Sequence, residues 1–407
     1  MKPTVLVATT ARWFPTTRLA MALAKAGFAV EAVCPAGHTL GGTGALDRIH
    51  TYHALAGLLS FASAITVATP DLIIPADDLA TRHLHELHKR ERINRRSGTQ
   101  ICELIERSLG AAEGFETVYA RTSFMQIAHE EGVRSPKTEI IANIRDLAKW
   151  VARMGFPTVL KANGTSGGDG VKVVNTVEEA EHAFRKLQAP PLMARAIKRA
   201  VVDQDPTLVW PSLFRRRFVV NAQAFVAGRE ATSTIACWKG KVLASLHFEV
   251  LKKVGSTGHA TVLRLIEHSE MARAAENIAR RFKLSGLHGL DFMLEAHTGN
   301  AYLIEINPRT TQVGHLSLGF ERDLPAALNA ALTGKEIQPA AKITESDTIA
   351  LFPQEWARDP KSEFLQFAYH DVPWEEPELI RSCIRKAKHI PRSSRPGLSR
   401  CPSSKSY

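Results

Sequence analysis

The stretches GLDFMLEA (residues 289–296) and AYLIEINPR (residues 301–309) decide the fold. Both are rich in apolar residues at the spacing of β-strands, and a short polar segment containing Gly299 separates them. This pattern predicts two antiparallel strands joined as a β-hairpin. The polar residues inside such otherwise apolar strands are the first candidates for a functional site.

Two carboxylates face each other in this hairpin if it is centred on Thr298, because Asp291 then lies opposite Glu305. A loop of even length would instead shift the register and separate the two acids. Facing carboxylates repel in an apolar setting, and a divalent cation between them relieves the repulsion. Asn307 follows on the same strand face and offers a third oxygen. We therefore predict a metal site with Arg309 beside it as a cation for phosphate or carboxylate; the alternative is a solvent-facing acidic stripe.

A second candidate is the glycine-rich stretch KANGTSGGDGV, residues 161–171. Its bare backbone N–H groups are suited to closing over an anion. Lys161 precedes the glycines and ends a predicted strand, whereas the lysine of a strand-to-helix phosphate loop follows its glycines. The alternative to an anion-covering loop is a flexible hairpin tip. The glycines concerned are Gly164, Gly167, Gly168 and Gly170.

The order of these motifs carries a family resemblance. Lys161 before GTSGGDG, with LDFML and YLIEINPR much later in the chain, is similar to the ATP-grasp superfamily of ADP-forming ligases. Members of that superfamily include biotin carboxylase, carbamoyl phosphate synthetase and many carboxylate-amine ligases. The resemblance covers roughly residues 119–332 and implies a two-lobed domain with antiparallel sheets that binds Mg-ATP.

The resemblance also implies roles for the matching residues. Lys161 would contact the ATP phosphates, the loop from Gly164 to Gly170 would cover them, and Arg309 would stabilise the transferred phosphoryl group or the acyl phosphate. The implied ligands of one or two magnesium ions, with manganese as an alternative, are Asp291, Glu305 and Asn307.

Three further positions follow from the same resemblance. The stretch NAQAFVAG resembles the family's hinge strand, although an ordinary core strand is the alternative. Arg121 stands where the family often has an Asp-Lys pair and is an altered phosphate contact. Gly314 replaces a glutamate that lies near bicarbonate in biotin carboxylase-like enzymes, which puts a bicarbonate-activating role in doubt. The residues implied to lie against adenine are Gln223, Ala224, Phe225 and Val226.

The activity implied is a magnesium-requiring, ATP-dependent ligase. It would join a small-molecule carboxylate to an amine or similar nucleophile through an acyl phosphate and release ADP and phosphate. One alternative is a carbamoyl phosphate synthetase-like or carboxylating enzyme. Another is a non-catalytic nucleotide- or RNA-binding protein that uses a basic tail.

The opening hundred residues predict a small doubly wound α/β domain. An apolar strand at Thr4–Ala8 precedes a helix (residues 16–25) and a second strand (residues 28–33), and a third strand follows at residues 71–75. No glycine occurs in the first strand-to-helix turn, which argues against a dinucleotide fingerprint. The predicted division is 1–112 for this pre-ATP-grasp domain, 113–335 for the ATP-grasp domain and 336–407 for a C-terminal extension.

Three strand-like runs, residues 218–226, 231–238 and 241–250, predict an antiparallel sheet joined by the turns AGRE and Lys239-Gly240. A helix over residues 269–282 and a closing helix over residues 324–332 complete the pattern. Residues 189–217 give no readable pattern.

The charge of the chain is concentrated at its end. Eight of the eleven excess positive charges follow Glu378, where no further acidic residue occurs. The rest of the 407 residues carry only +3, which disfavours nucleic acid as a partner. The tail from about residue 388 lacks an apolar pattern and is predicted to be disordered.

No apolar stretch is long enough for a membrane span or a secretion signal, so a cytoplasmic location is expected. Self-association as a homo-oligomer stays open.

Overall fold

The computed structural model describes residues 2–94, 98–163, 170–194, 197, 209–255, 258–336 and 341–388. Within these residues the strands form three sheets. The first is a parallel sheet with the strand order β3-β2-β1-β4. Its strands are β1 (Thr4–Ala8), β2 (Ala29–Cys34), β3 (Arg48–Thr51) and β4 (Leu72–Pro75).

Helices cover both faces of this sheet, as a doubly wound domain requires. Leu19 and Leu23 of the first helix pack on one face, while Phe61, Leu84 and Ile105 of the next three pack on the other. The predicted α/β domain is therefore confirmed, with β3 as an edge strand that the sequence analysis did not identify. The helices are α1 (Phe14–Lys25), α2 (Gly57–Ala68), α3 (Asp78–Asn94) and α4 (Gly98–Leu109).

The second sheet, here called the small sheet, has the antiparallel order β5-β8-β6-β7. One face packs against two helices through Leu160, Trp150 and Phe184. Lys161, on the opposite strand face to Leu160, is turned away from those helices. The elements are β5 (Thr138–Ile141), α6 (Ile144–Met154), β6 (Thr158–Ala162), β7 (Val171–Val174), α7 (Val177–Gln188) and β8 (Val220–Ala224), preceded by α5 (Arg121–Glu130) and interrupted by α8 (Val209–Leu213).

The third sheet, here called the large sheet, has the order β13-β12-β9-β10-β11-β14-β15 and is antiparallel except for its last pair. A helix predicted at residues 269–282 packs on one face and has those bounds. The elements are β9 (Gly228–Trp238), β10 (Lys241–Lys253), β11 (Ala260–Leu265), α9 (Ser269–Phe282), β12 (Gly286–Glu295), β13 (Ala301–Asn307), α10 (Leu324–Thr333), β14 (Thr348–Leu351), α11 (Gln354–Arg358), α12 (Phe364–Phe367), β15 (Tyr369–Asp371) and α13 (Pro377–Lys388).

The predicted pairing through the AGRE turn is wrong. Strand β8 pairs with β5 and β6 in the small sheet, whereas β9 pairs with β10 and β12 in the large one. The segment 225–227 is thus a link between two sheets and not a hairpin turn. The other predicted turn is confirmed: Trp238 pairs with Lys241, and positive φ angles of 50° at Lys239 and 86° at Gly240 are typical of a tight two-residue hairpin.

The C-terminal segment closes the structure. Strands β14 and β15 extend the large sheet, and Asp371 of β15 bonds to two distant parts of the chain. Arg18 of α1 donates to Asp371 Oδ1 at 2.6 Å, and His315 Nε2 lies 2.7 Å from Asp371 Oδ2. Leu379 and Cys383 of α13 pack near Phe14. No helix among the described residues has the length and apolar character needed to cross a bilayer.

Candidate functional site

Asp291 and Glu305 lie opposite each other on β12 and β13, as predicted. Asp291 accepts hydrogen bonds from Asn307 Nδ2 and Thr232 Oγ1, each at 2.9 Å. Burial, together with the nearby charge of Glu305, raises the pKa of Asp291. The three predicted metal ligands are therefore grouped at one place on the large sheet.

Two of the predicted phosphate-binding cations, Lys161 and Arg121, lie near these acids. Lys161 is buried on β6 of the small sheet, close enough to Glu305 and Asp291 for their charges to favour its protonated form. Burial nevertheless lowers the pKa of Lys161 to about 8, and Arg121 acts in the same direction. Arg121, at the start of α5, bonds to Glu305 with 2.9 Å between nitrogen and oxygen. The small sheet thus places the Lys161 ammonium near the acids of the large sheet, and α5 adds the Arg121 guanidinium.

Arg309 lies at the same site but points its guanidinium toward the N-terminal domain. Its Nε donates to Asp78 Oδ1 at 2.8 Å, and its second terminal nitrogen, Nη2, donates to Asn307 Oδ1 at 3.3 Å. Burial alone would lower the pKa of Arg309, but the Asp78 carboxylate outweighs it and keeps the group charged. Its place beside the predicted metal ligands is as expected, whereas its partner Asp78 was not predicted.

The glycine-rich loop is only partly within the described residues. Gly164, Gly167 and Gly168 lie outside them, so their predicted contact with phosphate stays a prediction. Gly170 is described: its carbonyl oxygen accepts from Ala162 N at 2.9 Å, which closes the base of the β6–β7 hairpin. Lys161 pairs with Val171 at that base, so the loop begins directly beside the lysine.

The residues predicted to lie against adenine span the end of β8 and the start of the link between the two sheets. Gln223 is buried on β8, and its Nε2 donates to Thr138 Oγ1 at 3.0 Å, so this side chain is engaged with the neighbouring strand. Ala224 ends that strand, and Phe225 and Val226 follow in the connection to β9. Phe225 is 39% exposed, which leaves its ring available to a planar ligand.

Gly314 lies in a confined position. A Cβ atom at this residue would approach Thr310 Oγ1 to 2.6 Å, far inside normal contact distance. A larger residue here would require the Thr310 side chain to shift, whereas the nearest backbone atom, the Thr311 carbonyl oxygen, lies 3.6 Å from such a Cβ.

Sequence reasoning missed two contributors to the site. Thr232 holds Asp291 from β9, and Asp78 holds Arg309 from α3. The sequence signal for Asp78 was its place directly after an apolar parallel strand, where ligand-facing residues commonly occur. Thr232 carried no signal, because it lies inside a strand whose sheet partners were not predictable from a local pattern.

The donor set fits a hard divalent cation. Asp291, Glu305 and Asn307 supply carboxylate and amide oxygens, and magnesium typically binds one or two carboxylates together with substrate phosphates. Among the described residues no group of three or more His, Cys, Asp or Glu side chains is placed to hold a metal ion, and the candidate site here combines two acids with the amide of Asn307.

Two antiparallel lobes with a charged site between them, preceded by a parallel α/β domain, define the class of this protein. A sequence comparison makes the class specific: residues 125–313 match the family model of the ATP-grasp domain. This stretch of the chain is therefore similar to the ATP-grasp domain, the family whose motifs around Lys161 and Glu305 were predicted.

Relatives and solved structures agree on the fold. A formate-dependent phosphoribosylglycinamide formyltransferase of Bacteroides thetaiotaomicron is 22% identical over 65% of this chain and 62% of its own. N5-carboxyaminoimidazole synthase from Aspergillus clavatus, solved with ADP and 5-aminoimidazole ribonucleotide, has a TM-score of 0.58 at 14% identity, with 83% of this chain and 78% of that one covered.

A biotin carboxylase domain from Hydrogenobacter thermophilus, solved with MgADP and bicarbonate, has a TM-score of 0.55 at 14% identity and covers 83% of this chain and 71% of that one. The chain spans between 22% and 62% of the length of three curated relatives that it matches. The likeness therefore establishes the fold and the domain.

Proposed function

We propose that this protein is a magnesium-requiring, ATP-dependent ligase that joins a small-molecule carboxylate to an amine or similar nucleophile. The observation that carries the proposal is the meeting of Lys161 and Arg121 with Asp291, Glu305 and Asn307 between two sheets joined by three residues. Two of the similar proteins support it. The formyltransferase is formate-dependent, and the N5-carboxyaminoimidazole synthase was solved with ADP and an amine-bearing ribonucleotide.

The reaction follows from the arrangement of charge. A carboxylate oxygen attacks the γ-phosphorus of ATP, the bond to the β–γ bridging oxygen breaks, and ADP leaves. The amine then attacks the acyl carbon, phosphate leaves with the former carboxylate oxygen, and the amine nitrogen loses a proton. Such phosphoryl transfer depends mainly on placement and charge stabilisation.

Each residue has a task in this scheme. Lys161 neutralises the phosphate chain from the small sheet, and Arg309 stabilises charge on the transferred group. The magnesium ion held by the acids would neutralise the β- and γ-phosphate oxygens. The glycine loop covers the phosphates, and the residues from Gln223 to Val226 lie along adenine. Manganese can replace magnesium at such oxygen ligands. We also propose that this ATP-consuming enzyme is cytoplasmic.

Product analysis tests the function. The protein is incubated with Mg-ATP, pooled amino acids and organic acids, and hydroxylamine, and nucleotide and hydroxamate products are identified. ADP with a hydroxamate is expected. AMP as the main product would overturn the mechanism, whereas ADP without a hydroxamate would contradict only the acyl phosphate. A separate incubation with bicarbonate as the acid tests the carboxylating alternative, which the glycine at position 314 disfavours because it supplies no carboxylate there.

A further inference from the structure

The Arg309–Asp78 ion pair joins two domains at the site. Arg309 donates through Nε to one oxygen of Asp78 at 2.8 Å and through Nη2 to the other at 3.4 Å. The remaining terminal nitrogen, Nη1, donates to the carbonyl oxygen of Thr310 at 3.2 Å. The guanidinium, only 18% exposed, is therefore fixed in plane and orientation by a carboxylate from the N-terminal domain.

The backbone around Arg309 is fixed independently of this pair. Thr310 N donates to the Pro75 carbonyl at 3.1 Å, and Thr81 Oγ1 donates to the Pro308 carbonyl at 3.1 Å. These bonds attach the residues on both sides of Arg309 to the N-terminal domain. Removing the Asp78 carboxylate would therefore leave the guanidinium held only through its bonds to the Thr310 carbonyl and Asn307 Oδ1, without releasing the loop that carries it.

The adjacent acid has a different task. Asp77 accepts from Thr10 N at 2.6 Å, from both Thr9 and Thr10 hydroxyls at 2.8 Å, and from Ala80 N at 2.8 Å. It thus caps α3 and holds the loop after β1. Asp78 makes no comparable set of backbone contacts within the described chain. Its carboxylate instead accepts two hydrogen bonds from the Arg309 guanidinium.

We propose that Asp78 is a positioning residue that aims Arg309 at the transferred phosphoryl group. The inference rests on the proposed function, because it assigns Arg309 to that group. A preoriented guanidinium stabilises developing charge without reorganising during the reaction, whereas a mobile one loses part of that benefit. The ATP-grasp site is then incomplete without a side chain from the N-terminal domain, which lies outside the family match at residues 125–313.

The test uses a mimic of the transferred phosphoryl group, so it needs no knowledge of the carboxylate. Calorimetry measures binding of MgADP, and of MgADP with aluminium fluoride, to the full-length wild type and to Asp78→Asn. MgADP affinity should be unchanged, and affinity for the aluminium fluoride complex should fall about tenfold, which corresponds to about 1.4 kcal/mol. Glu86→Gln, which removes a surface ion pair with Arg90 on the same helix, is the matched control and should change neither.

A double-mutant cycle separates positioning from a structural role. If Asp78 acts through Arg309, then Asp78→Asn should have no further effect on binding of the aluminium fluoride complex in an Arg309→Ala background. The role of Asp78 would be overturned if the two substitutions lowered affinity for the complex additively, or if wild type and Asp78→Asn bound the complex equally well. Either result would leave the proposed function standing. Failure of the wild type to bind MgADP would overturn the proposed function, and this inference with it.

Discussion

Asp291 pairs with Glu305 across a five-residue loop, residues 296–300, only because a bulge in β13 corrects the register between the loop and the acids. Near the loop the pairing is offset by one position, so that Leu294 faces Ala301. A one-residue bulge at Ile304 then restores the register before the acids are reached. The loop and the bulge compensate for each other, and the facing carboxylates depend on both.

Replacing Glu305 by Ala should weaken Mg-ATP binding at least about tenfold, because the change removes a cation ligand. The fold should persist, because the repulsion with Asp291 is removed together with the ligand. Calorimetry on the purified variant gives the affinity. Glu295→Ala, at the exposed tip of the same hairpin, is the control, and unchanged affinity in Glu305→Ala would leave the hairpin without a metal-binding role.

Replacing Lys161 by Ala should slow ATP turnover by roughly a hundredfold or more, because a buried positive charge on the phosphate chain is lost. ADP release with the best acid from the screen measures the effect. Lys186→Ala removes an exposed lysine from α7, on the far side of the small sheet, and should behave as wild type. Turnover in Lys161→Ala within a fewfold of wild type would refute the role of the lysine.

Asp371 should be a major contributor to stability. It is fully buried; burial raises its pKa, but His315 and Arg18 outweigh this and hold the pKa below its usual range. Asp371→Ala leaves the Arg18 cation without its buried partner, so the free energy of unfolding should fall by about 3–5 kcal/mol. Urea unfolding measures it, with exposed Glu345→Ala as the control; a loss below about 1 kcal/mol would contradict the prediction.

Acid should destabilise the protein through three buried histidines. Burial lowers the pKa of His85 to about 3 and those of His247 and His288 to about 4, from an ordinary value of 6.5. Between about pH 6.5 and 4 the unfolded chain binds more protons than the folded one, so stability falls as the pH drops through that window. For each histidine, the free energy of unfolding lost on acidification to its folded-state pKa is on the order of 3 kcal/mol.

Urea unfolding at several pH values between 7 and 4 checks this dependence. His247→Gln retains a polar group toward Ser233, which lies 2.7 Å from the histidine, and should reduce the pH slope by up to about one proton. An unaltered slope in His247→Gln would mean that this histidine is charged in the folded state as well.

The sequence predicted the elements better than their partners. Helix α9 was predicted to the residue because its apolar face repeats with the helical period. The sheet to which β8 belongs was mispredicted, because alternation along a strand does not specify which strand lies beside it. The Arg309–Asp78 pair joins residues 231 positions apart and has no local signature. The facing of Asp291 and Glu305 was predicted correctly, whereas the bulge at Ile304 that sets the register at these acids was not predicted.

Two truncations separate the basic tail from the last helix. A chain ending at residue 388 should keep the thermal stability and ATP turnover of the full protein, because the tail is predicted to lack a core pattern. A chain ending at residue 376 also loses α13, whose Leu379 and Cys383 are buried near Phe14 and Phe352, and should melt several degrees lower. Calorimetric melting compares the two, and a large loss in the longer chain would show that the tail is docked.

The ion pair between Arg18 and Asp371 spans 353 residues of sequence, which has a consequence during synthesis. The parallel sheet has all four strands once residue 75 has emerged from the ribosome, and α1 can cover it early. Arg18 must then stay hydrated until β15 is translated, because burying the cation without its carboxylate is costly. The face of α1 around Arg18 therefore completes its packing only after residue 371 has been translated, long after the parallel sheet has its four strands.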